Sequence, residues 1–212
     1  MLFAVVMTFA LFAKPAPTPT PAPGAALVGQ WESAERTKEG VGNILEFYAD
    51  GRVTQISASM ADASYRVDGD RLRTFWKDPE TGRDSEVETE LTFEGNTRFL
   101  EKGDEASGES WSERVGAPPR ADSPLVGQWC SLFLETLTTY REFTRDRMYN
   151  RLPVVVLRGR YSVTGDSLRV EMQAQPAGEY PFRLENGELV IKSRSGAEKR
   201  YKRPETSLLK GY

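Results

Sequence analysis

Apolar and polar residues alternate in short runs along most of the chain. In Glu86-Val87-Glu88-Thr89-Glu90-Leu91-Thr92-Phe93, Val87, Leu91 and Phe93 share one face and the three glutamates the other, which is the period of a half-buried strand. Arg52 to Ser57 repeats the pattern less cleanly. The runs are broken at Asp50-Gly51, Asp68-Gly69-Asp70, Pro79 to Gly82, Gly165-Asp166 and Asn186-Gly187. These are the residues tight hairpins use where the backbone takes positive φ. No stretch carries an apolar stripe at i, i+3, i+4, i+7; the nearest, Leu132 to Tyr140, is rich in Thr. The pattern predicts an all-β fold of antiparallel strands.

Repetition sharpens that expectation. Leu27-Val28-Gly29-Gln30-Trp31 recurs unchanged as Leu125-Val126-Gly127-Gln128-Trp129. Glu46-Phe47 before Asp50 is echoed by Glu142-Phe143 before Asp146, and Tyr65-Arg66-Val67-Asp68-Gly69-Asp70 by Tyr161-Ser162-Val163-Thr164-Gly165-Asp166. Each copy closes on an aromatic and a basic residue, Trp111 with Arg114 and Tyr201 with Arg203. A fixed long period means two copies of one structural unit. The spacing predicts domains at 25–116 and 122–204, a Pro-rich linker at 117–121 and a tail at 205–212. About eight short strands fit each copy, and a meander of that size protects its edges by curling shut. The expectation is two tandem small antiparallel meander β-barrels.

The ordered pattern of Leu-Val-Gly-x-Trp, Glu-Phe-x-x-Asp-Gly, Tyr-x-Val-x-Gly-Asp-x-Leu and a late aromatic-x-Arg resembles the small bacterial lipocalin-like (calycin-like) domains found in exported paralogous families, although copy two has Arg147 in place of the Gly after Asp146. The resemblance covers both copies. It implies that Gly29, Trp31 and Arg114 form the structural signature of the first barrel, and Gly127, Trp129 and Arg203 that of the second. Each arginine is then expected to lie over the tryptophan of its own copy, a cation-π contact worth about 0.5–2 kcal/mol. Eight short strands enclose little more than their own side chains.

Residues 2–13, from Leu2 to Ala13, form one apolar run of 12, too short to cross a bilayer as a helix. The run fits the apolar region of a signal peptide, with Leu11 and Ala13 where a signal peptidase reads, although no Lys or Arg precedes it. Residues 14–24 carry Pro at 15, 17, 19, 21 and 23 and predict a semi-rigid spacer. An exported protein, periplasmic or extracellular, with no stable membrane span is expected.

Composition then removes much chemistry. The chain has no His, so His-based nucleophilic catalysis and His-ligated metal sites are excluded. Its single Cys excludes an intrachain disulfide and a thiolate cluster. Cys130, next to Trp129, falls on the opposite strand face and reads as a buried, inert thiol. Asp68-Gly69-Asp70 resembles part of a calcium loop without the later acidic ligands, and reads as a hairpin turn. Glu86, Glu88 and Glu90 share one strand face and read as a solvated stripe, not an opposed catalytic pair. Phe75 and Trp76, which copy two lacks, are the candidate ligand-binding residues. No catalytic, cofactor-binding or metal-binding residue is assigned.

Charge is uneven. Residues 27–116 hold 11 Lys+Arg against 20 Asp+Glu, net −9, and residues 117–212 hold 16 against 11, net +5. Opposite signs favour intramolecular docking of the two domains. Arg141, Arg145, Arg147, Arg151, Arg158 and Arg160 lie among Tyr140, Phe143 and Tyr149, which superficially suits nucleic acid, but a solvated strand face is the ordinary explanation and no nucleic-acid partner is expected. The function expected is non-enzymatic binding or cell-envelope interaction, with an envelope protein as partner. A carrier of a small apolar ligand is one alternative and needs a cavity of about 300 Å³ or more. A carboxylate-based enzyme is the other and needs acids converging from different strands.

Overall fold

The structure, a computed structural model, describes residues 24–78, 81–103, 108–117, 123–133, 137–206 and 208–212, and of Phe133 the backbone alone. The apolar run 1–13, nearly all of the 14–24 spacer and most of the 117–121 linker lie outside the described residues. A 3₁₀ turn over Ala25–Leu27 leads into fourteen strands: β1 Gly29–Ser33, β2 Val41–Phe47, β3 Arg52–Asp68, β4 Arg71–Lys77, β5 Asp84–Glu94, β6 Arg98–Lys102, β7 Glu109–Val115, β8 Gly127–Phe133, β9 Leu137–Phe143, β10 Arg147–Thr164, β11 Ser167–Met172, β12 Gly178–Glu185, β13 Glu188–Lys192 and β14 Glu198–Lys202. All pair antiparallel in sequence order, and β1 pairs with β14 to close the ring. The turns fall at the expected punctuation, with Gly51, Gly69, Gly165 and Gly187 all at positive φ.

One further pairing reorganises the sheet. β3 and β10, 17 and 18 residues long, pair along thirteen positions from Arg52 opposite Arg160 to Ser64 opposite Arg147. The register shifts between Pro153 and Val155, where proline lacks the N–H a regular ladder needs. This shared ladder divides the fourteen-strand ring into two eight-membered rings. The first lobe consists of β1, β2, one end of β3, one end of β10 and β11–β14; the second consists of the other ends of β3 and β10 with β4–β9. Each lobe therefore draws strands from both copies, which corrects the expectation of tandem barrels each closed by its own copy. β7 pairs with β8 across the expected domain boundary, so the sheet has no seam there.

Two cores fill the lobes and a third lies outside them. Leu27, Trp31, Leu45, Phe47, Val53, Leu168, Leu189 and Tyr201 pack in the first. Tyr65, Leu72, Leu91, Phe99, Leu125, Trp129 and Phe143 pack in the second. On the opposite face of the shared ladder, Ile44, Ile56, Ala58, Met60 and Tyr149 are covered by Leu208 and Leu209. Residues 205–206 and 208–212 of the expected tail thus form a strap. Gln30 donates to the Leu209 carbonyl at 3.1 Å, the Gly211 amide donates to the Glu46 carboxylate, and Tyr149 donates to Glu205 at 2.8 Å.

The interleaving is repeated in matching contacts. The Tyr65 hydroxyl donates to the Thr144 carbonyl, and the Tyr161 hydroxyl to the Tyr48 carbonyl. Tyr65 meets Phe143 edge-on at 5.2 Å, as Tyr161 meets Phe47 at 4.9 Å. Every one of these joins one copy to the other.

Beside the ladder lies a buried ionic quartet. Arg151, 2% exposed, donates to both Glu32 oxygens at 3.0 and 3.1 Å and to Asp62 at 2.6 Å. Arg36 bridges the same two carboxylates at 2.9 and 2.6 Å. Burial raises the Asp62 carboxyl, but the two guanidinium groups outweigh it and hold Asp62 below the usual carboxylate range. Asp62 therefore contributes stability above the unfolded-state value near pH 4, lost as pH falls through the lower folded value.

Arg151→Ala leaves Glu32 buried with one partner fewer and is expected to cost about 3–5 kcal/mol in urea denaturation. The part-exposed Arg36, as Arg36→Ala, is expected to cost less. At the strap, burial and the Glu205 hydrogen bond push the Tyr149 phenol up to about 12. Its contribution is complete below pH 10 and is lost as pH rises through 12. The difference in phenolate absorbance between the wild type and Tyr149→Phe is expected to show that late step, and Glu205→Gln to bring it to lower pH.

Candidate functional site

Each lobe is capped at one end by the repeated Leu-x-Gly-x-Trp segment. Trp31 donates its indole N–H to the Leu27 carbonyl at 2.7 Å, and Trp129 to Leu125 at the same distance. Both indoles are buried. The arginines over them are exchanged relative to expectation: Arg203 lies 3.8 Å from the Trp31 ring centroid and Arg114 4.0 Å from that of Trp129. The physical reason is the closure of the ring, since β1 pairs with β14 and β8 with β7. Each arginine also donates to carbonyls beside its tryptophan, Arg203 to Ala26 and Gln30, Arg114 to Val126 and Pro124. Gly29 has φ +107°, and a Cβ there would stand 2.7 Å from the Arg203 Nη1. Gly127 has φ +125° in the matching place. These six signature residues are structural.

Behind the caps the two lobes differ. In the second lobe Arg141, on the strand position opposite Trp129, pairs with Glu101 and donates to the Ser112 hydroxyl at 2.7 Å. The Thr89 hydroxyl donates to Glu101 at 3.0 Å, and the Arg141 guanidinium lies 5.5 Å from the Phe99 ring. Phe99 in turn packs edge-on against Trp129 and Phe143. These side chains occupy that interior at the level below the cap.

The same registers in the first lobe carry different residues. Leu45 stands opposite Trp31, where the second lobe has Arg141; Ile191 faces Lys199, where it has Glu101 facing Ser110; and Leu189 faces Tyr201, where it has Phe99 facing Ser112. The ion pair is gone, and a cavity of about 190 Å³ lies within. Its apolar wall includes Leu45, Phe47, Val53, Leu168, Met172 and Ile191, and its polar lining is Asn43, Gln55, Gln175, Tyr180, Ser193, Lys199 and Tyr201. The volume is smaller than the roughly 300 Å³ of an ordinary ligand pocket. Burial pushes the Tyr201 phenol up, so it stays a neutral donor at ordinary pH.

The sequence candidates Phe75 and Trp76 lie on β4, both half-buried, and line a hollow of about 420 Å³ with Ser64, Lys77 and Asp84. Trp76 packs against the second core and also borders a hollow of about 440 Å³ beside Arg36 and Lys38. Lys77 and Asp84 pair with each other at 2.9 Å. Asp68 to Asp70 form the β3–β4 turn, and the described residues contain no acidic group arranged to hold a metal. Glu86, Glu88 and Glu90 are exposed, with Glu88 paired to Arg71 and Arg73. Cys130 is a half-buried free thiol, pushed up by burial and by Glu113. The arginine run is divided, because Arg141 and Arg151 are held in ion pairs while Arg145, Arg147, Arg158 and Arg160 are exposed. No helix among the described residues is long and apolar enough to cross a membrane.

Sequence reasoning missed Lys199 and named Tyr201 only as a closing aromatic matched to Trp111, whereas the strand register matches it to Ser112. Their signal was the mismatch between aligned copies, Ser110 and Ser112 against Lys199 and Tyr201, inside an otherwise charged strand. No protein-family model, curated protein or solved structure matches the chain.

Gly29→Ala combines a strained φ with a collision against the Arg203 guanidinium, whereas a Cβ at Gly69 meets nothing within 4 Å. Thermal denaturation is expected to show a loss of about 2–4 kcal/mol for Gly29→Ala and about 1 kcal/mol for Gly69→Ala.

Proposed function

We propose that this is an exported, non-enzymatic binding protein whose first lobe holds a small, mainly apolar ligand. The observation that carries this reading is the cavity of about 190 Å³ at the level where the second lobe is filled by Arg141, Glu101 and Phe99. An apolar cavity of about 150 Å³ takes benzene, so the space in the first lobe suits a molecule modestly larger. The resemblance to lipocalin-like domains supports the same reading, and the apolar run 2–13 supports export. The solvated face of Glu86, Glu88 and Glu90 favours binding over carboxylate catalysis. In this reading the opposite charges of the two halves are partly used within the chain, through Arg151 with Glu32 and Asp62 and Arg141 with Glu101.

The test transplants the plug of the second lobe into the first. Leu45→Arg with Ile191→Glu rebuilds the Arg141 and Glu101 pair at matching registers. Native mass spectrometry of wild-type protein from cell envelopes is expected to show a small-molecule adduct, and calorimetry to show binding of octanol or octanoate. The double variant is expected to lose both. A wild-type protein with neither adduct nor binding heat overturns the reading.

A further inference from the structure

The cavity lining carries the neutral polar groups Asn43, Gln55, Gln175, Tyr180, Ser193 and Tyr201, and Lys199 is its single Lys, Arg, Asp or Glu side chain. Among the described residues Lys199 forms no ion pair, although its neighbours Glu198 and Arg200 are both paired. Tyr201 is 6% exposed and lines the cavity, yet no described residue accepts a hydrogen bond from its hydroxyl. Its hydroxyl is not among the sealed, unpartnered polar atoms, so it is accessible from the cavity and free to donate to an acceptor there. The matching Tyr65 and Tyr161 both have carbonyl acceptors.

Lys199 and Tyr201 are two residues apart on β14 and so project to the same face, about 7 Å apart along the strand. Lys199 is exposed at the rim, whereas Tyr201 lies deeper, nearer the end capped by Arg203. The walls around them, from Leu45 and Leu168 to Ile191, are apolar. A ligand matching this surface has a compact apolar body and one anionic oxygen group. The apolar body fills the interior while the oxygens accept from a phenol and an ammonium.

We propose that the first lobe binds a small monoanionic amphiphile, a short-chain or aryl carboxylate, with Tyr201 and Lys199 as its two donors. This rests on the ligand-binding reading above and deepens it. A neutral molecule of the same length leaves Lys199 unused, and a cation is repelled by it. The second lobe, with Ser110 and Ser112 at these places and an internal ion pair, does not take the ligand.

Calorimetry with octanoate and 1-octanol on the full chain separates the outcomes. Octanoate is expected to bind about ten-fold or more tightly than octanol, the difference that a charged hydrogen-bond partner makes. Lys199→Met is expected to weaken octanoate about ten-fold and leave octanol unchanged, whereas the conservative Tyr201→Phe, which removes a donor either oxygen can use, is expected to weaken both probes, octanoate more. Equal affinity for the two probes, or octanoate binding indifferent to both substitutions, overturns the anionic assignment while the ligand-binding reading stands. Failure of both probes to bind wild-type protein overturns both.

Discussion

The thirteen-position ladder between β3 and β10 is the constraint on which the rest of the molecule depends. It joins the first copy to the second, so neither copy has a closed sheet without the other. Because the two strands are long enough to run through both lobes, one set of backbone hydrogen bonds fixes two ring closures at once. The ionic quartet sits beside that ladder, and the strap lies on its outer face. Loosening the ladder would expose Arg151, Glu32 and the apolar surface under Leu208 together.

The two lobes present equivalent frames with different interiors. Both have the indole cap, the arginine over it and a tyrosine anchored to a carbonyl across the shared ladder. The second lobe carries a guanidinium, a carboxylate and the Phe99 ring where the first has aliphatic side chains. The first carries a phenol and an ammonium where the second has serines. Packing density explains why such exchanges matter: a filled lobe contributes stability, whereas an unfilled one gives up contacts and retains room for another molecule.

The strand content and the hairpin turns were legible in the chain. Alternation around Val87 to Phe93 and the Asp-Gly and Asn-Gly punctuation carry that information locally. Partner choice was not legible, because Trp31 meets an arginine equally well from either copy, and only the ring closure selects Arg203. The small residues from Ser57 to Ser64 concealed the length of β3, since Ala58 and Ala63 look weak as strand formers yet fit under the strap and in the second core. Phe75 and Trp76 drew attention as unmatched aromatics, while the more informative mismatch was Tyr201 against Ser112. A hydroxyl that opens into a cavity is visible only once its neighbours are placed.

The crossed arrangement of the arginines has an evolutionary corollary. Arg203, near the end of the second copy, secures an indole near the start of the first, and Arg114 does the reverse. Drift at either position is therefore felt in a stretch of chain encoded far away, so the two repeats must co-evolve. A gene fragment encoding one repeat would carry a tryptophan without its cation and a cation without its tryptophan. Exchanging one half of the chain alone would part each indole from its cation.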